Sequence, residues 1–224
     1  MSATIHLHPT TDLAPRVLLP GDPGRALSLA QVLLDGPLMF NHHRGLWGYT
    51  GVAADGEPLT IQSTGMGGPS AAIVCAELAD LGAQRLIRVG TCGALAPTLA
   101  LGELVVVERA LPADGTSAAL GCRDPAPDPD LAAALTGDHR GPVVTSDLFY
   151  DPDLARLERW AAGGALAVEM ECAAVFAVAA ERGLAAAAVL LVTDLALPAR
   201  ARIGAEELRE GEERLGRAAL AALL

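Results

Sequence analysis

Short apolar runs alternate with helix-length windows along the whole chain, and that alternation leaves few folds open. Runs at Arg16–Leu19, Leu46–Ala53, Leu59–Thr64, Leu86–Val89, Leu104–Glu108, Pro142–Thr145 and Ala187–Thr193 are rich in Val, Ile or Leu and read as strands. Between them, Gly24–Leu34, Ser70–Leu81, Pro152–Ala162, Glu169–Arg182 and Ala205–Leu224 read as helices. Continuous apolar strands separated by helices predict a mostly parallel or mixed α/β sheet covered by helices on both faces. Pro69 just inside the second helix and Gly82 just past it fit the usual asymmetry of helix ends. At 224 residues, 1–224 reads as one domain with ample core and no internal repeat. Leu111–Gly141, rich in Asp, Pro and Gly, reads as surface loop. Leu195–Gly204 carries Pro198, Arg200 and Arg202, and reads either as a flap or as an ordinary connection.

Polar chemistry follows three of these strands, where an open α/β sheet holds its ligands. Pro20-Gly-Asp-Pro-Gly-Arg25 is a turn entering a helix; it is either structural or an anion site with Arg25 as the fork. Arg88 lies inside Leu86-Ile-Arg-Val89, where a charge is costly unless it meets a ligand or an ion-pair partner, with Glu77 and Glu108 as candidates. Thr91 follows it. Asp194 ends the most apolar strand; it either caps the next element or, in a dry cleft, holds its proton toward neutral pH as a general acid. Gly65-Met-Gly-Gly-Pro-Ser70 lacks the dinucleotide spacing and fits a close backbone approach or a plain turn. Val168-Glu-Met-Glu171 reads as the start of a buried helix, one of whose glutamates accepts ligand hydroxyls.

Composition removes other classes. A net charge of −11 disfavours a nucleic-acid or anionic-membrane surface. No stretch reaches about 18 apolar residues, and Met1-Ser-Ala-Thr-Ile-His6 lacks the regions of a signal peptide, so a cytoplasmic enzyme is expected. All 16 basic side chains are arginine, which excludes Schiff-base, pyridoxal and P-loop lysines. Cysteines 75, 92, 122 and 172 show no metal-ligand spacing, so no metal is expected, and Cys75 and Cys172 read as small buried hydrophobes.

Seven motifs in order resemble the bacterial purine nucleoside/uridine phosphorylase family over essentially the whole chain. They are Pro20-Gly-Asp-Pro-x-Arg25, His43-Arg-Gly-Leu-Trp-Gly-Tyr-Thr-Gly51, Gly65-Met-Gly-x-Pro-Ser70, Arg88-Val-Gly-Thr-Cys-Gly93, Ser146-Asp-x-Phe-Tyr150, Val168-Glu-Met-Glu171 and Thr193-Asp194. The resemblance implies a three-layer fold with a central mixed sheet, and reversible phosphorolysis of purine nucleosides in purine salvage. Inorganic phosphate would be the co-substrate, with no cofactor. By the family pattern phosphate lies among Gly21, Arg25, Arg88 and Thr91, with Arg44 from a neighbouring subunit. Glu171, Met66 and Met170 meet the ribose, and a neighbour's His6, or alternatively His8, reaches the 5′-hydroxyl. The base lies against Cys92, Gly93, Phe149, Val168 and Glu169, with Asp194 protonating N7. Arg200, Arg202 and Arg209 are the candidates to assist Asp194. The implied assembly is a homo-oligomer, a hexamer built from dimers with shared sites. Uridine phosphorylase, methylthioadenosine phosphorylase or nucleosidase, and a non-catalytic nucleoside-binding protein are the alternatives.

Overall fold

The structure, a computed structural model, describes residues 4–197 and 200–224. Met1, Ser2 and Ala3 of the N-terminal reading, and Pro198 of the stretch after Asp194, lie outside the described residues. The strands are β1 (Arg16–Leu19), β2 (Asp35–Asn41), β3 (Gly48–Val52), β4 (Pro58–Gln62), β5 (Arg85–Ala94), β6 (Leu104–Ala113), β7 (His139–Ser146), β8 (Ala167–Glu169), β9 (Ala185–Leu195) and β10 (Ala201–Arg202). The helices are α1 (Pro23–Leu33), α2 (Gly68–Leu81), α3 (Gly115–Ala119), α4 (Pro129–Ala134), α5 (Leu154–Ala162), α6 (Cys172–Arg182) and α7 (Ala205–Ala221).

All strands join one mixed sheet in the order β10-β9-β6-β7-β8-β5-β1-β4-β3-β2, and β9 also pairs with β5. That extra pairing closes β5, β9, β6, β7 and β8 into a ring, because each neighbouring pair in that circuit is hydrogen-bonded. Period-two alternation sorts side chains to the two faces. Val17 and Leu19 of β1 enter the core under α2 and α6, whereas Leu18 enters the core under α1 and α7. The expected sheet with helices on both faces is what forms.

Four local expectations are corrected. Leu111–Gly141 is not simply loop: β6 runs on to Ala113, and α3 and α4 follow, each capped by an aspartate, Asp114 and Asp128. Strand β2 escapes the apolar pattern because it is a mostly exposed edge strand that tolerates Pro37. Helix α6 starts at Cys172, not Glu169, because Val168 and Glu169 extend β8 to pair with both β5 and β7. Arg88 pairs with neither Glu77 nor Glu108; its partners are Glu169 and Glu171.

An ion pair away from the site ties β1 to the β3–β4 turn: Arg16 holds Asp55 through two bonds of 2.5 and 2.7 Å. The Arg16 hydrogen bonds hold the Asp55 carboxyl at about 2. A depressed folded-state pKa stabilises above the unfolded value, and that contribution disappears as pH falls through the folded value. Asp55→Asn is therefore expected to melt below wild type at neutral pH, with the gap closing as pH falls from about 4 to about 2. Melting curves across that range check it.

Candidate active site

Loops at the strand ends enclose a cavity of about 780 Å³. It is lined by Gly21, Arg25, Met66, Arg88, Thr91, Cys92, Gly93, Phe149, Val168, Glu169, Met170, Glu171 and Asp194, together with Arg200 and Arg202. Every residue expected at the site therefore reaches it except His6, its alternative His8, Arg44 and Arg209, which are not among its lining. Arg44 is exposed in a tight turn with φ of 57°, and Arg209 is exposed on α7. His6 is held elsewhere: its Nδ1 lies 2.7 Å from Glu77 Oε1, and Glu77 also accepts from the backbone N–H groups of Ile5, His6 and Leu7. His8 stacks on His43 with ring centroids 3.8 Å apart.

The arginine end is built by β1, α1, β5 and β8. Asp22 caps α1 by accepting from Gly24, and Pro23 occupies the first turn, so Arg25 leaves the helix start toward the cavity. Its Nε donates to Glu212 Oε1 at 2.7 Å. Arg88 projects from β5 onto the α2/α6 side of the sheet, where Glu169 and Glu171 meet it. Arg88 Nη2 is 3.0 Å from Glu169 and 2.5 Å from Glu171, and Nε donates to Glu169 at 3.0 Å. Burial works against the Arg88 charge, but Glu171 and Glu169 outweigh it and raise its pKa. One buried nitrogen, Arg88 Nη1, has no partner among the described residues. A buried guanidinium N–H left over from two carboxylates is a place for an anionic ligand.

Glu169 is already saturated. Its side chain is 0% exposed and accepts from Thr145 Oγ1 at 2.5 Å, from the backbone N–H groups of Glu171 and Cys172, and from Arg88. It thereby caps α6 and fixes Arg88 at once, which leaves its carboxylate no free acceptor facing a base. The Thr145 contact carried no signal in the sequence. Glu171 is more open to the cavity: Oε1 accepts from Gly67 N–H at 2.5 Å, and burial pushes its pKa up while Arg88 pulls it back. Gly67 has φ of 83°, which brings its N–H to that carboxylate. The glycine-rich loop thus makes its close approach to Glu171. Gly90 is required in turn, because a Cβ there would lie 2.5 Å from the Arg88 guanidinium carbon. Gly90→Ala is expected to displace Arg88 and weaken the binding of an inorganic anion such as phosphate by at least tenfold; calorimetric titration checks this.

Sheet register makes the other end. Gly93 of β5 lies between Val168 of β8 and Asp194 of β9. The β5–β9 register slips by one residue between Cys92 and Gly93, a bulge that re-aims Asp194. Burial raises the Asp194 pKa, against opposing pulls from Arg200, Arg202 and the Thr193 hydroxyl. Arg200 Nε lies 3.5 Å from Asp194 Oδ2, and its guanidinium sits 4.7 Å from the Phe149 ring centroid. Arg202 is the register partner of Asp194 across β10. Of the three arginines expected near the acid, Arg200 touches it. Cys75, Cys92 and Cys172 are buried, and burial pushes their thiols up, Cys75 to about 12. They are inert hydrophobes here.

An oxyanion fork, a buried carboxylate and an aspartate of raised pKa along one cleft suit an anion held beside a second ligand that takes up a proton. Comparison with known proteins agrees. Residues 15–224 match the family model described as the phosphorylase superfamily. The chain belongs to the phosphorylase superfamily. Among curated relatives of this superfamily member, a DeoD-type purine nucleoside phosphorylase of Geobacillus kaustophilus is 39% identical over 197 residues, 83% of each chain. A guanosine phosphorylase of Halorubrum lacusprofundi is 38% identical over 185 residues, 78% of this chain and 76% of that one. A uridine phosphorylase of Vibrio fischeri superposes with a TM-score of 0.85 at 28% identity, covering 94% of this chain and 91% of that one. Among the described residues no helix is long and apolar enough to cross a membrane, and no cluster of three metal-ligating side chains occurs.

Proposed function

We propose that this chain is a purine nucleoside phosphorylase: a purine nucleoside and inorganic phosphate give free base and pentose 1-phosphate, with no cofactor. The observation that carries it is the unpartnered Arg88 Nη1 beside Arg25 and Thr91 in the same cavity as Asp194. Phosphate occupies the arginine end with Gly21. Glu171, flanked by Met66 and Met170, takes the ribose hydroxyls. The base lies on Phe149 against Cys92, Gly93 and Val168. Cleavage of the glycosidic bond places positive charge on the sugar and negative charge on the base. Phosphate below the ring and a proton from Asp194 at N7 stabilise both.

A uridine phosphorylase is the second reading, favoured by the likeness to the Vibrio fischeri enzyme. Against it, among the described residues no Asn or Gln side chain lines the cavity to read a uracil edge, and Asp194 suits a purine nitrogen. Inosine, guanosine and adenosine are expected to turn over with phosphate at least tenfold faster than uridine. Faster turnover of uridine would replace the purine assignment.

The charges at the arginine end support a shared site in a homo-oligomer of paired subunits; the net charge of −11 supports the absence of a nucleic-acid partner, and a cytoplasmic location is part of the same proposal. Within one chain, Arg25 and Arg88 already face Glu169, Glu171 and Glu212, and Arg200 and Arg202 stand at the Asp194 end of the cavity, so a further cation at the arginine end favours a phosphate dianion. Arg44, exposed and outside its own cavity, supplies it to the neighbour, and His6 arrives with it. His6→Ala and Arg88→Ala subunits, each inactive alone, are expected to regain roughly a quarter of wild-type activity after random mixing, assuming isologous pairing. No regain in proven mixed dimers would return both residues to one chain's site.

A further inference from the structure

Glu212 stands outside every motif above and does not line the cavity, yet it makes the one side-chain bond that Arg25 has among the described residues. We propose that Glu212 is the positioning residue of the phosphate site: it fixes the Arg25 guanidinium through Nε so that the two terminal nitrogens face the incoming phosphate. The inference rests on the phosphorolytic reading of the cavity.

The packing of α7 on α1 explains why this contact is set rather than accidental. Arg25 and Leu29 are one turn apart on α1, and Glu212 and Gly216 are one turn apart on α7. A Cβ at Gly216 would meet Leu29 Cδ2 at 2.5 Å, so the Leu29 side chain of α1 packs directly on the α7 backbone there. The Arg25–Glu212 bond of 2.7 Å is the next layer of that same contact. Gly211 fixes α7 against the sheet in the same way, since a Cβ there would meet Leu191 of β9 at 2.7 Å. Both partners are shielded, with side-chain exposures of 9% for Arg25 and 16% for Glu212. A flexible arginine at the mouth of a cavity loses rotamer freedom on meeting a ligand, and a fixed one has less to lose. Using Nε for the carboxylate leaves the pair of Nη groups, the edge that grips two phosphate oxygens. Helix α7 also follows directly on β10, whose Arg202 is the register partner of Asp194. One element therefore adjoins the acid at its start and orders the phosphate arginine two turns later.

If Glu212 merely competed with phosphate for Arg25, removing its charge would tighten phosphate binding. Steady-state kinetics with inosine and inorganic phosphate, together with the rise in melting temperature that phosphate alone produces, separate the two. Glu212→Ala is expected to raise the KM for phosphate about tenfold, to leave the KM for inosine within about twofold, and to shrink the phosphate-induced melting shift. Glu212→Gln keeps an oxygen for Nε and is expected to recover most of the loss. A lower phosphate KM in either variant, an equal rise in both KM values, or an unchanged phosphate response overturns the inference. If phosphate neither supports base release by the wild type nor raises its melting temperature, the phosphorolytic reading fails first and the inference falls with it. A wild type that responds to phosphate, beside a Glu212→Ala variant that responds equally, removes the inference alone.

Discussion

Asp194→Asn is expected to lower kcat for inosine by about 10²–10⁴ while sparing a substrate that already carries positive charge at N7. The amide keeps the shape of the carboxyl but has no proton to deliver as charge develops on the base. With 7-methylguanosine no proton is needed, so the same variant loses far less. The pH profile follows from the burial that raises the Asp194 pKa. The acid is active while protonated, so kcat/KM falls as pH rises through that pKa, and the limb disappears in the asparagine variant. Arg200, 3.5 Å away, pulls the other way. Arg200→Ala therefore moves the limb to higher pH. An equal loss of activity on both substrates would make Asp194 a binding group and nothing more.

Arg88→Ala is expected to cost about 3–5 kcal/mol of stability near neutral pH as well as activity. Glu169 and Glu171 are both buried, and Arg88 is the side-chain cation that neutralises them. Without it, two like charges remain in a dry site. The deficit is expected to narrow toward acid, because Glu171, whose pKa burial already raises, loses the opposing pull of Arg88 and takes up its proton in the folded variant as pH falls. Urea unfolding at about pH 7.5 and about pH 5 reads this directly. Arg88→Lys restores the charge without the fork, so it recovers part of the stability and little of the phosphate affinity. A deficit that stays constant with pH would mean that cavity formation, and not the carboxylates, governs the loss.

What could be read from the chain followed what burial forces into local sequence. Strands β1, β5 and β9 are covered on both faces, so each is a continuous apolar run, and Arg88 stood out as a charge inside one of them. Asp194 was legible for the same reason, at the end of another. Closure of β5, β9, β6, β7 and β8 into a ring left no such trace, because it depends on pairing between distant segments. Strand β8, three residues long, looked like the first turn of a helix. That misreading hid the role of Glu169, whose caps and ion pair exist only once the strand places it beside Arg88. Glu77, a candidate partner for Arg88 by sequence, instead holds the segment from Ile5 to Leu7. Glu212 lies on the packed side of α7, one turn before Gly216, but within Glu206-Glu-Leu-Arg-Glu-Gly-Glu-Glu213 the sequence does not single it out from the other glutamates.

Phosphorolysis itself is read from base release by protein freed of phosphate. With inosine alone, hypoxanthine release is expected near background, rising with added phosphate and accompanied by one pentose 1-phosphate per base. Equal rates with and without phosphate, and free ribose as the sugar product, would make the chain a nucleosidase and contradict the assignment of Arg25, Arg88 and Thr91 to a phosphate site.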